Sequence, residues 1–186
     1  MSDPYFFGYG SLVNTATHSY PNTQTATLRG WRRAWVCTED RDVTFLTAIK
    51  ADEATQIQGL IAAVPNGDWS ALDLRETGYQ RVPSKGNVSH DTPSITDIAH
   101  YAVSPDDMRA AGHHKILLSY LDVVIQGYHH VFGSTGVQAF FDTTDNWHIP
   151  ILNDRNAPQY PRHQSLSHAE TDLVDQHLTR LGAHII

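Results

Sequence analysis

The chain has 186 residues, 40% hydrophobic and 10% aromatic, which gives it the length for one domain with a sizeable core and the composition of an ordinary globular protein. Its formal charge is −7, with 13 Lys and Arg against 20 Asp and Glu, and its nearest approach to a basic run is Arg32-Arg33 between Trp31 and Trp35; this is no phosphate-tracking surface, so nucleic acid is excluded as an expected partner. With no apolar run of membrane-spanning length, no signal-like N-terminus and Cys37 as the single cysteine, the chain is expected to be a soluble cytoplasmic protein with no membrane partner and no internal disulfide.

The first predicted strand, residues 4–7, runs into Phe6-Phe7-Gly8-Tyr9-Gly10-Ser11-Leu12. Two glycines around a tyrosine admit two readings. One is a plain turn; the other is a loop whose consecutive backbone N–H groups, free of bulky side chains, hold a carboxylate or an oxyanion. The third glycine of a dinucleotide fingerprint and the lysine of a phosphate-binding loop are missing, and Ser11 follows the second glycine instead of sitting between two as in a nucleophile elbow. Further strands are predicted over 31–37, 43–49 and 57–64, rich in β-branched and aromatic residues, with a polar turn at 50–53. Cys37, among Ala34, Trp35 and Val36, is expected to be a buried, inert thiol.

Asn66-Gly67-Asp68 then leads into a short helix carrying Trp69, Leu72 and Leu74 and stopped by Gly78. Glu76 falls in its last turn, facing the negative end of the helix dipole, which raises its pKa; Asp73 adds like-charge repulsion and Arg75 offsets both. The same spacing also fits a solvated glutamate at a frayed helix end. Extended segments follow at 79–82 and 95–103. A long helix is predicted from Ser104 as N-cap through Pro105, Asp106 and Asp107, with Met108, Ala111, Leu118, Leu121 and Ile125 as its apolar stripe and Gly127 as its stop. Residues 142–164, rich in Pro, Asn, Asp and Arg, read as a long loop. The last helix begins at Ser167, where Glu170 completes a capping box, and ends at Gly182, with Leu173, Val174, Leu178 and Leu181 on its apolar side. Strands first and helices later give an α+β class, one domain over 1–186 in which 142–186 is a loop plus a C-terminal helix packed on the rest.

The twelve histidines include two adjacent pairs, His113-His114 and His129-His130. Neighbouring residues on a helix point about 100° apart, so neither pair presents both rings to one ion, and His163 and His168 read as surface or capping residues; no metal and no cofactor is expected. A hydrolase built on Ser11 with a histidine and an aspartate is the weaker use of that loop. Trp31, Trp35, Trp69 and Trp147 read as core or pocket wall, not as a base-stacking platform.

Two stretches together point to a family. The loop Phe6-Phe7-Gly8-Tyr9-Gly10-Ser11-Leu12, with Arg75-Glu76-Thr77-Gly78-Tyr79 after one small sheet, resembles the gamma-glutamylcyclotransferase superfamily. Gly30-Trp31-Arg32, Gly59-Leu60, Ser119-Tyr120-Leu121-Asp122 and Gly127-Tyr128 also look like its pattern, so the resemblance covers most of residues 5–130. It implies a small mixed β-barrel with flanking helices. It also implies that Glu76 is the acid/base group, that Phe6, Phe7, Gly8, Tyr9, Gly10, Ser11 and Leu12 bind the gamma-glutamyl group, and that Tyr79 is a pocket wall or hydroxyl donor. The implied activity is ring closure of a small gamma-glutamyl substrate to 5-oxoproline with release of an amine or amino acid, without metal. The alternative is a non-catalytic small-molecule binding or regulatory protein on the same fold; a base at position 76 favours the enzyme. The segment from Asp142 onwards matches the family only loosely, and if it caps the pocket it selects the leaving group.

Overall fold

The run Tyr5-Phe6-Phe7-Gly8 is buried at every residue, as expected of a strand covered on both faces. It forms β1 (Tyr5–Gly8) in a computed structural model that describes residues 3–39, 41–92, 95, 97–110 and 112–186. The strands after it are β2 (Gln24–Arg29), β3 (Trp31–Val36), β4 (Phe45–Lys50), β5 (Gln56–Ala63), β6 (Gln80–Pro83), β7 (Val88–Ser89), β8 (Ile98–Ala102), β9 (Ile116–Leu117), β10 (Thr144–Asp145) and β11 (Ile151–Leu152). The helices are α1 (Ser70–Arg75), α2 (Leu118–Asp142) and α3 (His168–Leu181).

Six strands make a mixed sheet in the order β6-β8-β1-β5-β2-β7, with β1 antiparallel to β5 and parallel to β8. A second sheet, β10-β3-β4, and the short pair β11-β9 complete the architecture. The α+β class holds, and the main sheet is a curled half-barrel, not a closed barrel. Glycine permits the curl where strands touch: a Cβ at Gly59 would sit 2.3 Å from the Gly8 carbonyl oxygen. The largest core cluster joins Trp35 and Leu46 from the second sheet to Leu121, Ile125 and Tyr128 from α2 and to Val174 and Leu178 from α3. Cys37 is buried, and among the described residues no helix is long and apolar enough to cross a membrane.

The predicted long helix is misplaced. Pro105–Asp107 makes one 3-10 turn with no side-chain bond from Ser104, and the helix starts at Leu118 instead and runs past Gly127 to Asp142. Ala111, part of the predicted stripe, lies outside the described residues. Two physical facts explain the error. The residues from Leu121 to Tyr128 are buried without a break, so no stripe marks the true helix. Gly127 is not a stop but a contact point, where a Cβ would lie 2.7 Å from Asn14. The bend falls at Gly133, with φ of 66°. The start of α3 matches the expectation: Ser167 accepts from the Glu170 N–H, Glu170 returns a bond to the Ser167 N–H, and Gly182 ends the helix in the left-handed region.

Candidate active site

β1 delivers the chain into a 3-10 turn, Ser11–Val13, closed by the Val13 N–H on the Gly10 carbonyl at 3.0 Å. Both glycines are required by this closure. A Cβ on Gly8 would meet Leu12 Cβ at 2.5 Å, and one on Gly10 would meet the Tyr120 hydroxyl at 2.8 Å. The loop walls one side of a small cavity with Phe7, Gly8, Tyr9, Gly10, Ser11 and Leu12, and across it stand Leu46, Glu76, Tyr79, Tyr101 and Tyr120. This space continues into a wider cleft of about 130 Å³ that shares Ser11, Leu46, Glu76, Tyr79 and Tyr120 and opens between Arg41, Tyr160 and Arg162. Phe6 is the exception among the expected residues. It lies outside the cavity, packed edge-on against Tyr20 in a cluster with Leu72, because consecutive side chains of a strand face opposite sides.

Glu76 is the C-cap of α1, and 16% of its side chain is exposed. Arg75 is 7% exposed; its Nε lies 3.2 Å from Glu76 Oε1, an ion-pair contact without hydrogen-bond geometry. The remaining Arg75 nitrogens donate to the Thr17 carbonyl (2.9 Å), Thr17 Oγ1 (3.0 Å) and Ser11 Oγ (3.3 Å), tying α1 to the glycine loop. Burial pushes the Glu76 carboxyl above the ordinary carboxylate range, and the guanidinium groups of Arg75 and Arg162 pull it partly back. The largest cause is desolvation by burial. Asp73 is not a contributor; it accepts from the Tyr101 hydroxyl and pairs with Arg81 at 3.4 Å.

The tyrosines build the walls. Tyr79 donates to the Leu46 carbonyl at 3.0 Å and meets Phe45 edge-on, so its ring is wall and its hydroxyl is already engaged. The Tyr120 hydroxyl stands against the glycine loop, 2.8 Å from where a Cβ on Gly10 would lie, and its ring meets Tyr160 edge-on at 4.9 Å. Tyr160 and Arg162 belong to the segment expected as a loop, which crosses the cleft as an anchored strap. Asp154 accepts from the Ser119 N–H (2.7 Å), Ser119 Oγ (2.6 Å) and the Gln159 N–H (2.9 Å), and Arg155 pairs with Asp122 at 2.7 Å.

Three guanidinium groups and a single carboxylate line the cleft of a chain whose net charge is −7. Arg41, Leu46, Tyr120, Tyr160 and Arg162 were not among the expected site residues. Tyr120 was visible only as helix pattern, and the two arginines carry no local motif. Ser11 Oγ meets Arg75, not a histidine. The histidine pairs lie elsewhere. His113 and His114 are not helical; they stack at 5.1 Å, with His113 on Asp42, while His130 on α2 pairs with Glu170. Among the described residues no group of three or more His, Cys, Asp or Glu is placed to hold an ion.

No family model and no curated protein matches the sequence. Solved structures do. A gamma-glutamyl cyclotransferase superposes with a TM-score of 0.59 at 12% identity, over 95% of this chain and 99% of its own. An uncharacterized protein from Homo sapiens gives 0.57 at 12% identity over 94% and 99%. A gamma-glutamyl cyclotransferase specific to glutathione, from yeast, gives 0.50 at 13% identity over 96% and 97%. The chain therefore has the fold of the gamma-glutamyl cyclotransferases over about 95% of its length.

Proposed function

We propose that this chain cyclises a gamma-glutamyl amide: the substrate's α-amine attacks its own γ-carbonyl carbon, the bond from that carbon to the outgoing nitrogen breaks, and 5-oxoproline leaves with an amine or amino acid. The nucleophile belongs to the substrate, so the protein has three tasks: to fold the substrate back on itself, to move one proton, and to stabilise charge on the carbonyl oxygen. One observation carries the reading: the Glu76 carboxylate stands across a shared cavity from the main chain of the glycine loop.

In this reading the amides of the 8–12 loop hold the glutamyl group and its developing oxyanion, and Glu76 takes a proton from the α-ammonium, which in a free peptide has a pKa near 8. The same carboxyl returns a proton to the departing nitrogen. A carboxyl raised by burial is closer in proton affinity to both partners than an exposed one, and such a base contributes about 10²–10⁴-fold. Tyr79 and Tyr120 exclude water, and the arginine-lined mouth favours a substrate with more than one carboxylate. The test is incubation with a panel of gamma-glutamyl amino acids, peptides and amines, followed by chromatography for 5-oxoproline. Product is expected from at least one, and Glu76→Gln is expected to lose about 10²-fold or more of the rate while remaining folded. No product from any of them overturns the reaction.

A further inference from the structure

Arg33 is the only arginine among the largest fully buried side chains, 1% exposed on β3, and no carboxylate pairs with it among the described residues. A buried cation without a counter-charge is costly unless its donors are all spent on good acceptors. Here they go to neutral oxygens. Nε donates to the Tyr9 carbonyl at 3.0 Å, one terminal nitrogen donates to Thr143 Oγ1 at 2.7 Å, and the other donates to the Gln58 carbonyl and the Tyr128 hydroxyl. The Tyr128 hydroxyl in turn lies 2.9 Å from the same Tyr9 carbonyl and 2.7 Å from that of Gln58, so its proton serves one of the two at a time. The guanidinium also stacks over the Tyr128 and Phe140 rings, 5.0 Å from each centroid.

The Tyr9 carbonyl is one end of the peptide group whose other end is the Gly10 N–H. No peptide bond among the described residues is cis, so N–H and C=O of this unit point in opposite directions. The carbonyl points to Arg33 and Tyr128, neither of which lines the cavity; the N–H is directed away from them, on the side of the loop that does. We infer that Arg33, with Tyr128, is a positioning residue of the site: it fixes the plane of the Tyr9–Gly10 peptide with its N–H turned into the cavity, and its charge polarises that N–H into a stronger donor for a negatively charged oxygen. Hydrogen bonds in series reinforce one another, most of all where one member is ionised and water is excluded. The catalytic consequence rests on the reaction proposed above; the orientation and polarisation of the amide do not.

Two readouts separate these. The first is the ¹⁵N resonance of the Gly10 amide, which responds to charge and hydrogen bonding at the preceding carbonyl. Arg33→Gln is expected to move it to lower frequency, Tyr128→Phe to move it part of the way, and Arg33→Lys, which keeps the charge, to move it least. The second is the rate of 5-oxoproline formation per folded molecule. Arg33→Gln is expected to lower kcat about 10- to 100-fold with KM little changed, less than the loss of a whole oxyanion donor because the N–H itself remains. Tyr128→Phe keeps the ring packing and carries both measurements should Arg33→Gln not fold. A Gly10 resonance that stays in place in Tyr128→Phe, and in Arg33→Gln where that variant folds, or variants that melt lower yet turn over at the full rate, would show a merely structural clamp and overturn the inference. Absence of 5-oxoproline from the unmodified protein would remove the reaction while leaving the amide shift as the test of the clamp.

Discussion

Replacing Glu76 with Gln removes the charge and keeps the shape, and the structure fixes the sign of the effect on stability. The carboxyl is raised above its ordinary pKa of 4.5, chiefly by desolvation, even with Arg75 and Arg162 pulling the other way. The net direction already includes both cations, so in the folded state the ionised form is the disfavoured one. A group of this kind imposes nothing below its unfolded pKa, where it is protonated in both states. Stability is lost as pH rises from there through the folded pKa, and the loss is complete above it. The neutral amide of the Glu76→Gln variant carries no such penalty at any pH. Each unit of rise corresponds to about 1.4 kcal/mol, and a chain of this length shifts its melting temperature by about 2–4 °C per kcal/mol, so the variant is expected to melt about 3–6 °C higher at pH 7 for each unit. Melting curves of the two proteins from pH 4 to 8, followed by circular dichroism, should show the gap closing as pH falls towards 4.5. A Glu76→Gln protein less stable than its parent at pH 7, or a gap that widens in acid, would refute the claim that burial outweighs the arginines.

Gly10→Ala places a Cβ 2.8 Å from the Tyr120 hydroxyl and 3.3 Å from Leu46 Cδ2, and the resulting shift of a wall residue should cost about 1–3 kcal/mol in denaturant unfolding and depress kcat. Tyr79→Phe loses only the bond to the Leu46 carbonyl, so it should cost about 0.5–1.5 kcal/mol while the rate of 5-oxoproline formation persists; loss of the rate would return the hydroxyl to the chemistry. Arg162→Gln removes a half-buried cation from the mouth, and KM for a gamma-glutamyl amino acid should rise about 3- to 10-fold with kcat unchanged, while KM for the corresponding uncharged amide stays where it was. The rate itself should decline in acid with an apparent pKa above 4.5, and the Glu76→Gln protein should lack that limb.

Elements whose residues speak for themselves were legible in the sequence. The run 4–7, the Ser167 capping box and Gly78 at φ 96° each carry a local signal that the fold obeys. β2 carries none: Gln24-Thr25-Ala26-Thr27-Leu28-Arg29 alternates correctly but buries only Ala26 and Leu28, too little apolar bulk to stand out. The misplaced long helix shows the opposite failure, in which Ser104-Pro105-Asp106-Asp107 offers every start signal yet the chain turns once and leaves. A cap stabilises a helix by about 1 kcal/mol, and the packing of 118–128 decides the matter. At the site, Glu76 and the glycine loop were visible because both are local motifs. Arg41, Tyr120, Tyr160 and Arg162 come from separate places in the chain and meet only through the strap that Asp154 holds down, a relation that no spacing encodes.

The glycine loop is gripped by charge from both sides, and neither charge serves stability well. Arg33 lies behind it, without a carboxylate partner among the described residues; Glu76 lies in front, with its proton affinity raised by burial. Arg75 ties the helix that carries Glu76 to the loop through Ser11 and Thr17. A sequence selected for folding alone would replace both groups with apolar residues of similar volume, since such swaps are often neutral or stabilising. Their positions make sense together if the peptide between them must meet a negative oxygen and the carboxyl opposite must give and take a proton. In that case Glu76→Gln should match or exceed the parent in melting temperature while forming 5-oxoproline about 10²-fold or more slowly, because the replacement relieves a cost that only the reaction requires.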